Sequence, residues 1–554
     1  MNSLIVAIIL FSCHSCIYCN IFLSSNGSVI IGRKLFTVFK RRPYAAYCNI
    51  PYAEPPVGGL RFKPPKLRKF WINSTIYDFS QPADDTCTTS LNEDCLKLSI
   101  YVPISNNDTL FPVLVWIHEN SSDHGPDFFI DERILVVTIS FRTSILGFLR
   151  TGDNFASGNM GAKDVLMALK WIKDKISVFH GNPSRVTVAG SGIGSTIAAS
   201  LILSAPAEDL FIRVLVLSGS ALSPADYRPY NFEIERKLYT RLTGSRQKFN
   251  RTKFYESLNN ASKVKLDWIS RSLFDSSEVR DCQSLITSFG CNAETSVKQS
   301  FMNKSPLEVY NRKMANNNVD VMFGFNSLER LNELSGFASN RKLLKCLNYN
   351  FQYLLPFEGQ RAEYNSERYN RIRKRIMDFY FLNGTVGERS LRRYAKYHSD
   401  QVVYPLLRQA ILHCEASCNN VYLYRFGFKG AFNIGWKSSV PNLNWTGATA
   451  GDEICYLFKC KSVNDIYDSA ETTAERHFIK KLAGLLANFV RIGNPTPVGN
   501  SNLKWEPLPR GQGIRGMDLT KNMKMIFLPE EKRMKFWDLL REEFFCDNMY
   551  RAEL

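Results

Sequence analysis

Short apolar runs rich in β-branched residues recur along the chain, at Leu98–Val102, Val113–Ile117, Leu135–Ser140, Val186–Ala189, Val214–Leu217, Val319–Phe323 and Val421–Phe426. They are continuous rather than alternating, the pattern of strands covered on both faces. Between several of them the apolar spacing changes to three and four residues, over Val165–Phe179 and Ser195–Ser204. The same spacing returns over His477–Arg491, where Gly493 and Pro495 stop the helix. Strands alternating with helices predict an α/β fold, a large, mostly parallel central sheet with helices on both faces. No internal repeat, low-complexity tract or Pro/Gly/Ser linker divides the chain, so residues 20–554 read as one domain.

Composition agrees with burial on that scale. Of 554 residues, 45% are hydrophobic, 13% aromatic and 22% charged, which excludes a disordered or collagen-like chain. Lys and Arg number 70 against 52 Asp and Glu, a formal net charge of +18. Such a balance suits an acidic protein or acidic glycan partner, but charge spread over a large surface explains it equally well, and no motif points to nucleic acid. Two basic clusters, Lys40, Arg41 and Arg42, and Arg371, Arg373, Lys374 and Arg375, read first as solvated surface.

The first nineteen residues hold an apolar run, Leu4–Phe11, followed by small and thiol residues, which reads as a cleaved secretory signal peptide. The run is shorter than the roughly 20 residues that span a bilayer, and no transmembrane anchor is expected later in the chain. The mature protein is therefore expected to be secreted and extracellular. In that compartment the Asn-Xaa-Ser/Thr sequons at Asn26, Asn73, Asn107, Asn250, Asn260, Asn303, Asn383 and Asn444 are glycosylation candidates, and a further sequon begins at Asn120.

Fourteen cysteines include Cys13, Cys16 and Cys19 in the leader. Cys87 with Cys95, and Cys282 with Cys291, lie close in sequence among polar residues, and each pair is expected to close a small disulfide loop. No CxxC or His-rich spacing accompanies them, so no metal is expected. Cys48, Cys346, Cys414, Cys418, Cys455, Cys460 and Cys546 have no partner assignable from spacing.

Around Val186–Ser200 the chain resembles the carboxylesterase/cholinesterase family of α/β-hydrolases, and the resemblance extends over nearly all of the mature sequence. Its carriers, in the family's order, are Asn49–Pro65 (NIPYAEPPVGGLRFKPP), Glu93–Pro103 (EDCLKLSIYVP), Pro112–His118, Ser140–Leu149, Gly158–Asp164 (GNMGAKD), Gly181–Gly190, Ser218–Pro224, Ala487–Pro497 and Lys535–Trp537. The resemblance implies an α/β-hydrolase fold containing disulfides. It also implies two structural ion pairs inside the matched motifs, Arg61 with Glu93 and Arg142 with Asp164.

What the resemblance implies for chemistry runs the other way. The family's nucleophile elbow is G-x-S-x-G, with a histidine as general base and an acid that orients it. The matching stretch here is Gly190-Ser191-Gly192-Ile193-Gly194, with Gly192 at the serine position. The family's GxxHxxE loop matches Gly447–Glu453 and puts Ala450 at the histidine position, and no histidine lies between His413 and His477. The acid position is Glu329, in GFNSLER, while Asp452 and Glu453 match acidic positions beside the histidine in many members and need not be functional. The glycine-rich oxyanion loop becomes Glu119, Asn120 and Ser121 after His118, leaving the Ile193 N–H as the matching donor.

Loss of a nucleophile or base costs a serine hydrolase on the order of 10⁶ in turnover, and an oxyanion donor a further ~10²–10³. The expectation is a pseudoenzyme with no catalytic residues, similar to the inactive neuroligin, neurotactin and glutactin members that act by binding partners in adhesion or signalling. Two alternatives keep the pocket in use: a carrier for a small apolar ligand, or a residual ester hydrolase using Ser191 or Ser195. The run Gly190–Ser195 (GSGIGS) shares glycines with dinucleotide-binding turns, but Ser195 stands at the last glycine position, and no cofactor is expected.

Overall fold

The computed structural model describes residues 20–545 apart from 26, 69–74, 85, 106–108, 225–226, 228–229, 246–247, 274–288, 295–299, 317, 335–347, 349–350, 352–354, 358–365, 382–383, 388–389, 418, 440–444, 468–472 and 498–502. The signal-peptide segment, Cys282, Cys346, Cys418, Cys546, and the sequons at Asn26, Asn73, Asn107, Asn383 and Asn444 lie outside the described residues.

The strands in chain order are β1 (Asn20–Ser25), β2 (Ser28–Phe36), β3 (Pro43–Pro51), β4 (Ile76–Asp78), β5 (Lys97–Pro103), β6 (Phe111–Ile117), β7 (His124–Gly125) and β8 (Leu135–Ile139). They continue as β9 (Gly181–Ser191), β10 (Arg213–Leu217), β11 (Asp320–Asn326), β12 (Val421–Phe426), β13 (Lys459–Cys460), β14 (Arg515–Leu519) and β15 (Lys524–Phe527). Thirteen of them form one sheet in the order β1-β2-β3-β5-β8-β6-β9-β10-β11-β12-β14-β15, with β4 on β2. From β8 to β14 every neighbouring pair is parallel, while the β1–β2, β2–β3, β3–β5, β5–β8 and β14–β15 pairs are antiparallel. The expectation of a mostly parallel sheet thus describes its centre, and the antiparallel flanks make the whole mixed.

The period of two in a strand decides what each face carries. Val113, Val115 and Ile117 of β6, Val137 and Ile139 of β8, and Val214 and Val216 of β10 enter one apolar core. Leu114, Trp116, Val136, Leu215 and Leu217, their neighbours in sequence, enter a second core on the opposite face. Helices α1 (Met160–Lys175), α2 (Ile193–Leu201) and α3 (Leu391–Ala416) close the first face, and α4 (Thr473–Ile492) closes the second. A fifth helix, α5 (Glu531–Phe545), packs on α3. Among the described residues no helix is long and apolar enough to cross a membrane.

Buried charges tie the loops to this frame. Arg61 donates to both oxygens of Glu93 at 2.9 and 2.6 Å, and its remaining Nη1 reaches the carbonyls of Leu258, Asn259 and Ala261. Arg142 holds the fully buried Asp164 through its Nε at 2.8 Å and Nη2 at 2.6 Å, and donates from Nη1 to the Lys63 carbonyl. Burial alone pushes the Asp164 carboxyl up, and the Arg142 guanidinium opposes that rise. Cys87 is bonded to Cys95, and Cys455 to Cys460. The second disulfide joins two cysteines left unassigned by sequence, five residues apart. Cys48 and Cys414 are buried thiols. The sequon residues Asn250, Asn260 and Asn303 are exposed.

Candidate functional site

Strand β9 ends at Ser191 and α2 begins at Ile193, so Gly192 alone makes the turn between them. Its φ of 60° and ψ of −135° form a conformation that residues with a Cβ adopt only under strain. The turn is tight because backbone crowds backbone: a Cβ on Gly190 would lie 2.1 Å from the Gly194 carbonyl oxygen, and one on Gly194 would lie 2.0 Å from that of Ile117. Gly192 differs, since a Cβ there would meet no atom within 4 Å. The one position that presents a side chain outward from this elbow is the one occupied by hydrogen.

The serines on either side of the elbow are both buried. Ser191 is buried at the end of β9, and the Ser195 hydroxyl donates to the Gly192 carbonyl at 2.6 Å beneath Gly219. Both belong to the packing of the turn.

Two strands along the sheet from β9, β11 delivers Asn326 and the following turn delivers Glu329, whose carboxyl is fully buried. Glu329 Oε1 accepts from the Ser218 hydroxyl at 2.6 Å and from the Asn326 backbone at 2.6 Å, while its own N–H donates to Ser399 Oγ. Its Oε2 is buried with no hydrogen-bond partner among the described residues. Glu453 comes to the same place from the Gly447–Glu453 loop. Its Oε2 accepts from Asn326 Nδ2 at 2.6 Å, and its Oε1 lies 3.2 Å from Ser218 Oγ. Burial first, and then the charge of Glu329, push the Glu453 carboxyl up to about 8. Glu329 is raised as well, chiefly by burial, with the hydrogen bonds from Ser218 and Asn326 acting against it.

Asp452 holds the loop in shape by accepting from the Thr449 and Trp436 N–H groups and from Asn433 Nδ2. Ala450 is exposed on it. The carboxylates are thus in place, and a methyl group stands where the resemblance puts an imidazole.

Two backbone donors of the His118–Ser121 turn are engaged within the turn itself. The Asn120 N–H donates to His118 Nδ1 at 2.9 Å, and the Ser121 N–H to the His118 carbonyl at 3.2 Å. The Glu119 carbonyl accepts from the Thr86 hydroxyl, and the Ser121 side chain is buried. His118 packs beside His124 at 4.7 Å between ring centroids, and His124 Nδ1 accepts from Trp116 Nε1 at 3.0 Å. Burial lowers His118 to about 4 and His124 to about 3. Among the described residues no group of three His, Cys, Asp or Glu side chains is placed to hold a metal ion.

A model of the carboxylesterase family matches residues 21–537. The chain belongs to the carboxylesterase family. It is 29% identical over 525 residues to the juvenile hormone esterase of Tribolium castaneum, covering 86% of this chain and 84% of that one. To neuroligin-3 of Mus musculus it is 33% identical over 246 residues, 34% of this chain and 30% of that one. The crystal structure of the juvenile hormone esterase from Manduca sexta, with OTFP covalently attached, superposes with a TM-score of 0.77 at 21% identity, covering 94% of this chain and 100% of that one, so the two share the α/β-hydrolase fold.

Sequence reasoning gave Glu453 no role and did not find Ser218 or Asn326 at all. Both lie inside matched motifs, SGSALSP and GFNSLER, but a motif does not say which of its polar side chains meet across the sheet edge.

Proposed function

We propose that this chain is a secreted carboxylesterase-family protein that acts by binding, at the cell surface or in signalling, and does not hydrolyse esters. The observation that carries the reading is Gly192: the outward position of the elbow has space for a hydroxyl and holds none. The reading is supported on three further sides. Ala450 offers no proton acceptor, Glu329 and Glu453 take up each other's neighbours, and the Asn120 and Ser121 amides are engaged within their own turn. Residues 1–19 are then a signal peptide, the remainder one hydrolase domain, and the exposed Asn250, Asn260 and Asn303 carry glycans. The partner is an extracellular protein or an acidic glycan, matched to the +18 net charge.

Because relatives named as esterases match most of the chain, the test sets both outcomes side by side. The secreted protein is assayed on short-chain p-nitrophenyl esters and labelled with a fluorophosphonate, then passed over heparin and over a neutral agarose. No turnover above a heat-denatured control, no label, and salt-sensitive retention on heparin alone are expected. Stoichiometric label on Ser191 or Ser195 would return the chain to the hydrolases.

A further inference from the structure

The two basic clusters of the sequence meet different surroundings in the fold. Arg371 and Arg375 face Glu543 at 3.7 and 3.3 Å, so an acid already answers that cluster. Lys40, Arg41 and Arg42 lie in the turn between β2 and β3, and the fold sets α4 beside them. Phe39, at the root of the turn, stacks on Phe128 at 5.4 Å between ring centroids and lies under the Arg476 guanidinium of α4 at 5.6 Å. Near the other end of α4, Glu132 joins helix and turn, with Oε1 3.1 Å from Lys40 Nζ and Oε2 3.5 Å from Arg491 Nη2.

At 3.6 residues per turn, Arg476, Lys480 and Arg491 fall within about 60° of one another around the axis of α4, in a row about 22 Å long. Gly484 stands on the same face between Lys480 and Arg491, and a Cβ there would meet no atom within 4 Å. The acids of these elements leave the row positive. Asp131 is buried and accepts from the Thr37 hydroxyl at 2.8 Å, and Glu475 is buried and accepts from the Ala431 N–H at 2.9 Å. Glu132 is shared between two cations. Arg41, Arg42, Arg133 and Lys480 are exposed and form no ion pair among the described residues.

Exposed cations set in line along one helix, with the neighbouring acids turned inward, suit a linear polyanion better than a single ion. We propose that this strip docks a sulfated glycosaminoglycan chain, which lies along α4 beside the Lys40–Arg42 turn with its sulfates on Arg41, Arg42, Arg476 and Lys480. Guanidinium groups present paired N–H donors to such oxyanions. Phe39, the ring inside the strip, is taken up by Phe128 and Arg476, so it offers no platform on which a nucleic-acid base could stack. The inference rests on the acidic-glycan partner proposed above and gives that partner a place on the surface.

Surface plasmon resonance of the secreted protein on an immobilised heparin oligosaccharide tests the proposal. Affinity is expected to fall at least about tenfold in Arg41→Glu/Arg42→Glu and in Gly484→Glu, and to stay within about twofold of wild type in Gly484→Gln and in Lys374→Glu/Arg375→Glu. Gly484→Glu puts a better helix former into open space, so its melting temperature should be no lower than that of the wild type, and a loss of binding there reports charge rather than misfolding. Vesicles of phosphatidylserine and phosphatidylcholine are expected not to sediment with the protein at the same salt. A wild type that does not bind heparin would overturn the acidic-glycan reading and this site with it. Heparin binding that is unchanged in both strip variants, or that falls equally in Lys374→Glu/Arg375→Glu, would overturn the site alone. Sedimentation with the vesicles that the strip variants abolish would make the strip a membrane contact and overturn it as well.

Discussion

Glu329 and Glu453 meet on a single hydroxyl: Ser218 Oγ lies 2.6 Å from Glu329 Oε1 and 3.2 Å from Glu453 Oε1. One hydroxyl has one proton to give, and two ionised carboxylates in a dry site repel each other. The arrangement is balanced when Glu453 carries a proton of its own and donates it to Ser218, which donates onward to Glu329. That is the state favoured by a carboxyl pushed up to about 8.

A pH dependence of stability follows, and its sign is fixed. A carboxyl with a folded pKa of about 8 against 4.5 unfolded binds more protons folded than unfolded between those values. Stability therefore falls as pH rises through that window, by at most about 1.4 kcal/mol per pH unit, and is flat above it. Melting temperatures from pH 6.5 to 9 are expected to decline in the wild type, and Glu453→Gln, which keeps a hydrogen-bonding group, is expected to remove most of the decline. An unchanged slope in that variant would count against a protonated Glu453.

The two histidines act in the opposite direction at lower pH. His118, at about 4, and His124, at about 3, are neutral in the fold, while unfolded imidazoles take up protons near 6.5. Their contribution is complete above pH 6.5 and is lost as pH falls toward 4 and 3. Acid unfolding should move to lower pH in His124→Gln, provided that the Trp116 N–H keeps an acceptor there, and an unmoved transition would exclude His124 as a source of acid lability.

Gly192→Ser tests whether the elbow is a relaxed version of a strained turn. The side chain has room, since no atom lies within 4 Å of its Cβ, but φ of 60° and ψ of −135° cost a non-glycine residue roughly 1–3 kcal/mol. Denaturant unfolding should show the variant destabilised by about that amount. Adding Ala450→His supplies a base beside Glu329, yet turnover should stay at least about 10²-fold below an intact esterase, because the Asn120 and Ser121 amides remain engaged in their turn.

The elements that a motif or an apolar run carries were legible in the sequence: the strand–Gly192–helix turn, the place of Glu329, and the strands β5, β6 and β8 to β12. What escaped depends on contacts between distant segments. Ser218, Asn326 and Glu453 are separated by 108 to 235 positions, and no local pattern brings them to one point. Strand β2 half-hides its alternation, with Gly32 and Lys34 on a flank that is buried on one side. Helix α3 runs 26 residues through Pro405, which reads locally as a helix breaker. Tertiary burial of nearly its whole length outweighs that signal.

Arg142 and Asp164 provide a test of the frame that is independent of the site. Asp164 is 0% exposed, and Arg142 supplies three of its hydrogen bonds through N, Nε and Nη2. Arg142→Met leaves the backbone bond and strands the carboxylate, at an expected cost of about 3–5 kcal/mol. Arg142→Met/Asp164→Leu removes both charges and should recover part of that loss. If the double variant is no more stable than the single, the unpaired charge is not what destabilises the single variant.

The Cys455–Cys460 disulfide begins two residues after Glu453 and ends in β13, which pairs with β7 through Cys460 and His124. It therefore joins the loop that carries Ala450 and Glu453 to the segment that carries the two histidines. Closing so short a loop contributes only about 2 kcal/mol by restricting the unfolded chain. Its larger effect is expected to be local. In Cys455→Ser/Cys460→Ser, hydrogen exchange should rise in residues 447–460 and 118–125 while the amides of β9 and β10 keep their protection. Global unfolding of the variant, with protection lost evenly across the sheet, would show that the bond supports the whole fold rather than this corner of it.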